Sequence, residues 1–222
     1  MSENPAAGSK PGVYRRESGG LEFDRVSFFT DAVYAIAMTL LVVDLHIPQA
    51  HDGLLAALDG MSYEIFGFFL GFLIIGRFWL AHHQFFAALA SIDTGMVRVN
   101  LLYLAVVAFC PFPVSLISEY EEDPAAFFLF AATIGAISLL EVVLLVMAAR
   151  GHHLARDLSP RGLRATLVMA SSPVVVILLS LPLVAFGTTV ALLSWLAMIP
   201  IGIVLDRLAP PELRDPADRP GM

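Results

Sequence analysis

The sequence predicts an all-α integral membrane protein with six transmembrane helices. Of its 222 residues, 58% are hydrophobic and only 15% are charged, and the mean hydropathy is +0.78. These values lie outside the range of soluble globular domains. Apolar windows of about 20 residues, the length that crosses a bilayer as a helix, recur six times along the chain.

The six predicted spans are joined by short connections. They are expected at residues 26–46, 61–89, 97–117, 125–149, 165–185 and 188–206. Prolines in the third, fifth and sixth spans, such as Pro111 and Pro113, predict kinks or local breaks. Only a turn around Gly187 separates the last two spans. They are interpreted as two helices, because an apolar stretch of their combined length would cross the bilayer twice.

The spans form one predicted unit, a six-helix transmembrane domain over residues 21–206, with a short tail on either side. Residues 1–20 are rich in Gly, Pro and Ser and lack the apolar core of a signal peptide, which favours a flexible tail. Residues 207–222 are expected to be a second tail. The first helix is therefore expected to serve as its own insertion signal.

Basic residues predict the orientation in the membrane. Twelve of the 13 Lys and Arg residues flank the spans on one side, and only Arg77 lies inside a helix. The connections on the other side contain no Lys or Arg. The positive-inside bias therefore places both termini in the cytoplasm.

The opposite, outer side of the predicted protein is rich in acidic residues. The first of them along the chain is Asp44, at the end of the first helix. Such a ring of carboxylates would raise the local cation concentration at an outer mouth. The alternative is that depletion of bases leaves any ordinary outer loop acidic. Composition does not decide between the two.

The first helix carries polar residues that lipid contact alone does not require. Arg25, Ser27, Thr30 and Asp31 lie at its cytoplasmic end. A carboxylate about two turns into a membrane helix is costly unless it is paired or wetted. Asp31 is thus either part of an ion path or a tie between helix ends in the headgroup region.

Further along, Ile36, Thr39, Leu40 and Val43 fall at i, i+3, i+4 and i+7 and share one helical face. If several copies of this helix surrounded an axis, the face would form narrow apolar rings with one hydroxyl layer. Such a constriction gates by dewetting or removes part of an ion's hydration. The alternative is core packing, because nearly every position in this helix is apolar.

The second helix ends with His82 and His83. Adjacent histidines do not share a helical face, so a metal site is not indicated. Arg77 and Glu141 lie in the cytoplasmic halves of their helices and are hypothesised to pair. His152 and His153 lie in a basic loop and are interpreted as solvated.

Signatures of enzymes and cofactor sites are missing from the sequence. It contains no P-loop, GxSxG elbow, Cys/His zinc spacing or TVGYG filter. No cofactor is expected, and the scattered bases do not indicate nucleic-acid binding. An integral-membrane enzyme is disfavoured for the same reason.

The segment RVSFFTD, Arg25 to Asp31, resembles the RxxxFSD signature of the transmembrane-protein-175 family of potassium channels, with Thr30 in place of the usual Ser. AVYAIAMTLLVVDLHIP is similar to the family's first helix, FWLAHHQFF to its second and NLLYLAVVAFCPFPVSLISEY to its third. The resemblance covers roughly residues 22–120. The length of six helices is similar to that of the bacterial members with one repeat, and this resemblance implies a bacterial plasma membrane as the location.

The resemblance implies a homotetramer in which the first helix of each subunit lines a central pore, permeable to potassium. It implies a narrow layer at Ile36, with further layers at Thr39, Leu40 and Val43. Arg25, Phe29, Thr30 and Asp31 would organise the cytoplasmic entrance through contacts to His82, His83 or Asn100. The partners expected are monovalent cations and the lipid bilayer.

A second function class stays open from the residues alone. A proton-coupled or other secondary transporter would be a monomer or dimer with broken helices around a midplane site. The membrane-embedded charges available to it are Asp31, Arg77 and Glu141.

Overall fold

The chain is described by a computed structural model that covers residues 12–16, 21–46, 53–120, 122–156, 158–210 and 213. Its helices are α1 Leu21–Leu40, α2 Leu54–Gly60, α3 Ser62–Ala87, α4 Thr94–Phe109, α5 Pro111–Glu119, α6 Pro124–Arg150, α7 Pro160–Ser180, α8 Thr188–Ser194 and α9 Met198–Leu208. Two strands, β1 Val13–Arg15 and β2 Ser91–Asp93, complete the fold. The all-α prediction is therefore confirmed, apart from this short sheet.

Within the described residues, six segments are long and apolar enough to cross a membrane. They are Glu22–Asp44, Ser62–Ala87, Thr94–Glu119, Pro124–Arg150, Pro160–Phe186 and Thr188–Leu208. Each overlaps one predicted span, with ends that differ by a few residues. The six-helix prediction is confirmed.

Three of these spans are interrupted where proline removes a backbone donor. The third span breaks at Cys110 into α4 and α5, and Pro111 is the first residue of α5. The fifth tightens from α7 into a 3₁₀ helix, Leu181–Phe186, that contains Pro182. The sixth passes from α8 through the 3₁₀ turn Trp195–Ala197 into α9, which contains Pro200.

Side chains and prolines fix where the spans begin. Asp93 accepts a hydrogen bond from the Met96 amide at 2.7 Å and caps α4. Asp123 and Ser159 cap α6 and α7 in the same way, and a proline follows each at the first helical position. These are the usual N-terminal signals of a helix, because the first amides lack partners within the helix.

The two strands join the N-terminal segment to the α3–α4 connection. β1 pairs antiparallel with β2, with Val13 opposite Asp93 and Arg15 opposite Ser91. Arg16 then donates to the Ala87 carbonyl at 3.0 Å. Residues 12–16 of the segment expected as a tail are thus hydrogen-bonded to the bundle, whereas 1–11 and 17–20 lie outside the described residues.

His153, interpreted as solvated, is instead buried, with 6% of its surface exposed. Its ring lies 2.8 Å from Ser91 Oγ through Nδ1 and 3.2 Å from Asp93 Oδ2 through Nε2. Its carbonyl accepts a hydrogen bond from the Ala90 amide at 2.8 Å. The interpretation was wrong because the α6–α7 connection folds back over β2, which a charge count does not reveal.

The helices pack in a row that sets the position of the first one. α1 packs on α3 and α4, α4 on α6, α6 on α7, and α7 on α9. α1 therefore lies at one edge of the subunit and α9 at the other. Gly71 of α3 allows a close approach to α5 and the end of α1, since a Cβ there would lie 2.8 Å from Val114 Cγ1 and 3.2 Å from Leu41 Cδ2.

Candidate functional site: the exposed stripe of α1

Helix α1 has one buried face and one exposed face. Its buried face consists of Phe23, Thr30, Tyr34, Ala37 and Leu41, each less than 5% exposed. Acidic residues in its first turn, Glu22 and Asp24, complement the positive end of the helix dipole. The buried face fixes α1 to the bundle, whereas much of the other face is exposed in the subunit.

The exposed face contains all four residues predicted to face a pore. Ile36 is 58% exposed, Leu40 45% and Val43 65%, and Thr39 is also exposed. We call Ala32, Ile36, Thr39, Leu40 and Val43 the α1 stripe. The helical spacing of these residues explains why they share one side.

The end of the stripe differs from the continuous α-helix that the sequence predicts. Residues Leu41–Asp44 form a 3₁₀ turn, in which each residue rotates further about the axis than in an α-helix. Val42 is therefore exposed as well, at 53%. Nothing in the apolar run 40–43 distinguishes a 3₁₀ turn from another α-helical turn.

Thr39 supplies the hydroxyl of the stripe. Its Oγ1 donates to the carbonyls of Ala35 and Ile36, at 3.0 and 2.9 Å. With its proton used on the helix backbone, the exposed oxygen presents lone pairs outward. An oxygen acceptor on an apolar face favours cations over anions.

A set of polar and aromatic residues, here called the inner cluster, ties the basic end of α1 to α3 and α4. It consists of Thr30, Asp31, Trp79, His82 and Asn100. Asn100 Nδ2 donates to Thr30 Oγ1 at 3.0 Å, and its Oδ1 lies 2.8 Å from His82 Nε2. Thr30 in turn donates to the Val26 carbonyl at 2.9 Å.

Burial makes these hydrogen bonds hard to replace. Thr30, His82 and Asn100 are 4%, 1% and 1% exposed. A buried polar group without a partner costs about 1–3 kcal/mol. The Thr30–Asn100–His82 chain therefore holds three helices in one register.

Asp31 completes the inner cluster through a residue that the sequence did not suggest. Trp79 Nε1 donates to Asp31 Oδ1 at 2.8 Å. The Trp79 ring stacks on His83, with centroids 5.5 Å apart. An indole nitrogen reaching a carboxylate across two helices leaves no local sequence pattern.

Arg25 and Phe29 lie apart from these contacts. Both are exposed, Phe29 at 52%. Across the described ranges, neither forms a hydrogen bond, ion pair or ring contact with His82, His83 or Asn100. Thr30 contacts Asn100 directly, and Asp31 reaches His83 through the stacked Trp79.

The hypothesised pair between Arg77 and Glu141 is not a direct one. In the part of the chain described here, no ion pair joins the two side chains; Arg77 acts on Glu141 only through its charge. Arg77 is exposed on α3, whereas Glu141 is partly buried on α6.

Two buried tyrosines add a contact that was missed. The hydroxyls of Tyr34 and Tyr103 form a short hydrogen bond between α1 and α4, and both residues are fully buried. Tyr103 also packs edge-on against His82, with centroids 4.5 Å apart.

Asp44 lies at the other end of the stripe and is also tied to a neighbour. Its carboxylate accepts a short hydrogen bond from Ser115 Oγ of α5. An open hollow of about 320 Å³ adjoins the pair, lined among others by Leu40, Val43, Phe109 and Phe112. Among the residues described, no group of three or more His, Cys, Asp or Glu side chains is arranged to hold a metal ion.

Comparison with known proteins finds relatives for the region that contains this geometry. Residues 25–111 match the family model described as the endosomal/lysosomal potassium channel TMEM175. A potassium channel of Streptomyces collinus is 37% identical over 134 residues, 59% of this chain and 64% of that protein. The endosomal/lysosomal proton channel TMEM175 of Homo sapiens is 32% identical over 114 residues, 47% of this chain and 23% of that protein. The chain thus spans less than two thirds of these relatives' lengths.

The fold is shared with a solved structure over most of its length. The crystal structure of a lysosomal potassium-selective channel TMEM175 homologue from Chamaesiphon minutus matches with a TM-score of 0.70 and 25% sequence identity. The match covers 84% of this chain and 97% of that chain. The inner cluster and the α1 stripe lie within residues 25–111. Over that region, the chain is similar to the TMEM175 family, as its RVSFFTD segment predicted.

Proposed function

We propose that the chain is a potassium-permeable cation channel that conducts passively through a homotetrameric pore lined by α1. Its relatives include potassium channels and proton channels, which supports a monovalent cation as the permeant ion. One α1 helix does not enclose a pore, so several copies are needed around an axis. The proposal includes no cofactor and no catalytic step.

The observation that carries the proposal is the position and composition of the α1 stripe. Exposed apolar side chains also suit lipid, as on α9, but this stripe differs from a lipid-facing surface. It includes Thr39 with an outward oxygen and the small Ala32 one turn from Ile36, and the exposed Ala35 and Asp44 lie beside it. Small residues permit close approach of neighbouring helices, and an acidic end attracts cations.

Ile36 and Val43 are proposed as constrictions, with Thr39 and Leu40 between them. Four branched side chains around one axis exclude bulk water, so an ion passes only after losing part of its hydration. Four Thr39 oxygens would replace some of the lost water. Permeation would thus depend on the width at Ile36 and the oxygens at Thr39.

The inner cluster is proposed to keep this pore helix in place. Two hydrogen bonds fix α1 within its own subunit, one from Trp79 to Asp31 and one from Asn100 to Thr30. Arg25 and Phe29, exposed at the same end, are left to contact a neighbouring subunit at the cytoplasmic entrance. Such contacts would set the distance between the four stripes.

We further propose a bacterial plasma membrane as the location, with both termini in the cytoplasm. Arg15, Arg16, Arg98 and Arg150 lie at one end of the bundle, together with the β1–β2 sheet. Asp44 and Glu119 lie at the other. The positive-inside bias assigns the first end to the cytoplasm.

Liposome flux tests the proposal. Purified protein is reconstituted with potassium inside and either an impermeant cation or sodium outside. Potassium efflux is followed in both cases, with a proton ionophore to compensate the charge. We expect efflux without any coupling ion, and a change in potassium-to-sodium discrimination on Ile36→Ala. Leu139→Ala, at a position 54% exposed on α6, is the matched control and is expected to behave as wild type.

Two outcomes would contradict the proposal. Transport that required a proton or sodium gradient would indicate the transporter alternative. Ion discrimination that changed with Leu139→Ala and not with Ile36→Ala would place the ion path elsewhere.

A further inference from the structure

A groove between α7 and α9, far from α1, carries a basic residue at the membrane boundary. It encloses about 220 Å³ and is lined among others by Arg164, Val168, Met169, Leu205 and Leu208. Apart from Arg164, its lining side chains are apolar. We propose that this groove binds an anionic phospholipid, with an acyl chain along the helices and the phosphate at Arg164.

The first step of the inference is the location of the groove. Arg164 lies in the second turn of α7, and Leu208 is the last residue of α9. Both ends belong to membrane-spanning segments, and they are the ends where basic residues collect. A phosphate at Arg164 would thus lie at headgroup depth, with its acyl chain directed into the bilayer.

The second step is the distribution of charge. Arg161 precedes Arg164 by one helical turn, and Arg207 lies in the last turn of α9. Asp206 is exposed beside Arg207 but does not line the groove. Arg164 is thus the charged side chain that the described residues present to the groove, and basic pockets between helices on this side of a membrane bind anionic headgroups.

The third step is the apolar wall. Val168 lies one turn below Arg164 on α7 and is 56% exposed, and Leu208 is 74% exposed. Val168 shares the helical face of Arg164 because it follows it at i+4, and Met169 lines the groove from the next position. The groove therefore offers guanidinium first and hydrocarbon below, the order in which a phospholipid presents its phosphate and chain.

The position of the groove argues for lipid rather than a second copy of the chain. α9 packs on α7, and α7 packs on α6, at the opposite edge of the subunit from α1. If the α1 stripes meet at a central axis, the α7–α9 edge faces outward. Lipid is then what meets the groove.

Native mass spectrometry of the purified full-length protein tests the site. Phosphatidylglycerol and phosphatidylcholine are added separately, and bound lipids are counted per subunit. We expect Arg164→Gln to weaken phosphatidylglycerol binding about fivefold, the factor that one basic residue near an anionic surface contributes. Arg164→Lys should restore most of the binding, and Arg98→Gln, on the same side but outside the groove, should match wild type.

A second variant tests the apolar wall separately from the charge. Val168→Trp fills the groove and should displace the bound phosphatidylglycerol, with thermal melting confirming that the protein is folded. Equal binding of both lipids, or unchanged phosphatidylglycerol binding in Arg164→Gln, would overturn the proposal. Displacement of the lipid by soluble glycerol phosphate would also overturn the proposal. Disulfide cross-linking between subunits through Leu208→Cys would overturn it as well.

Discussion

Tyr34 and Ile36 are two residues apart on α1, yet Tyr34 is fully buried and Ile36 is 58% exposed. Two helical steps rotate the chain by more than half a turn, so one residue faces the bundle and the other faces away. Tyr34 is held by Tyr103 of α4. The orientation of the α1 stripe is thus set by contacts on the opposite face of the same helix.

The Thr30–Asn100 hydrogen bond should be essential for that orientation. Thr30→Val leaves the Asn100 amide without an acceptor in a buried site, and we expect a loss of about 1–3 kcal/mol in unfolding free energy. Thr30→Ser keeps the hydroxyl and should lose only about 1 kcal/mol through the missing methyl group. Thermal unfolding in detergent measures both.

Thr133→Val is the matched control for this substitution. Thr133 is 5% exposed, and its hydroxyl donates to the Leu129 carbonyl of its own helix at 2.9 Å. That carbonyl belongs to the α6 backbone, so Thr133→Val should change the free energy of unfolding little. Equal destabilisation by Thr30→Val and Thr133→Val would show that the contact to Asn100 contributes nothing.

Gly71 should not tolerate a side chain. Gly71→Ala places a methyl group against Val114 and Leu41, and overpacking of this kind typically costs about 1–3 kcal/mol. Gly202→Ala is the control, because a Cβ there would meet nothing within 4 Å. Adding Val114→Ala to Gly71→Ala should recover part of the melting temperature; no recovery would argue against a direct clash.

The negative carboxylate of Asp44 should increase the cation flux through the channel. Asp44→Asn removes a carboxylate at the end of the stripe, and we expect reduced potassium flux at low ionic strength with a smaller effect at high salt, where the field is screened. Asp59→Asn, an exposed acidic site on α2, is the comparison. A flux loss that was the same at all salt concentrations would instead indicate that the Ser115 contact matters for structure.

His153 should stabilise the basic end of the bundle. His153→Ala removes the contacts to Ser91 and Asp93, and the melting temperature should fall. In a double-mutant cycle, Ser91→Ala should cost less in the His153→Ala background than in the wild type. Strictly additive effects would mean that the two side chains do not act together.

The sequence was sufficient for the membrane class and for the number of spans, because both depend on the length of apolar runs. It also identified Ile36, Thr39, Leu40 and Val43 as one face, since helical spacing is a local property. Which face of α1 is exposed was not predictable from hydropathy, because the buried Leu41 and the exposed Leu40 are the same residue type. The family resemblance supplied that choice.

The missed contacts share one physical cause. Trp79 with Asp31, Ser115 with Asp44 and Ser91 with His153 each join residues 48 or more positions apart. No period or motif reports such a pairing, which depends on how the helices pack. The 3₁₀ turn at Leu41–Asp44 was missed for a different reason, since it depends on the junction with α5 and not on its own apolar sequence.

Cysteine accessibility tests most directly whether the α1 stripe lines the ion path. The native Cys110 is fully buried, so Cys110→Ala provides a background for single substitutions. Val43→Cys and Thr39→Cys are treated with a charged, membrane-impermeant thiol reagent while potassium flux is recorded from liposomes. We predict that modification blocks flux at both positions and leaves it unchanged at Leu139→Cys. Unblocked flux in fully modified Val43→Cys and Thr39→Cys protein would contradict a pore lined by α1.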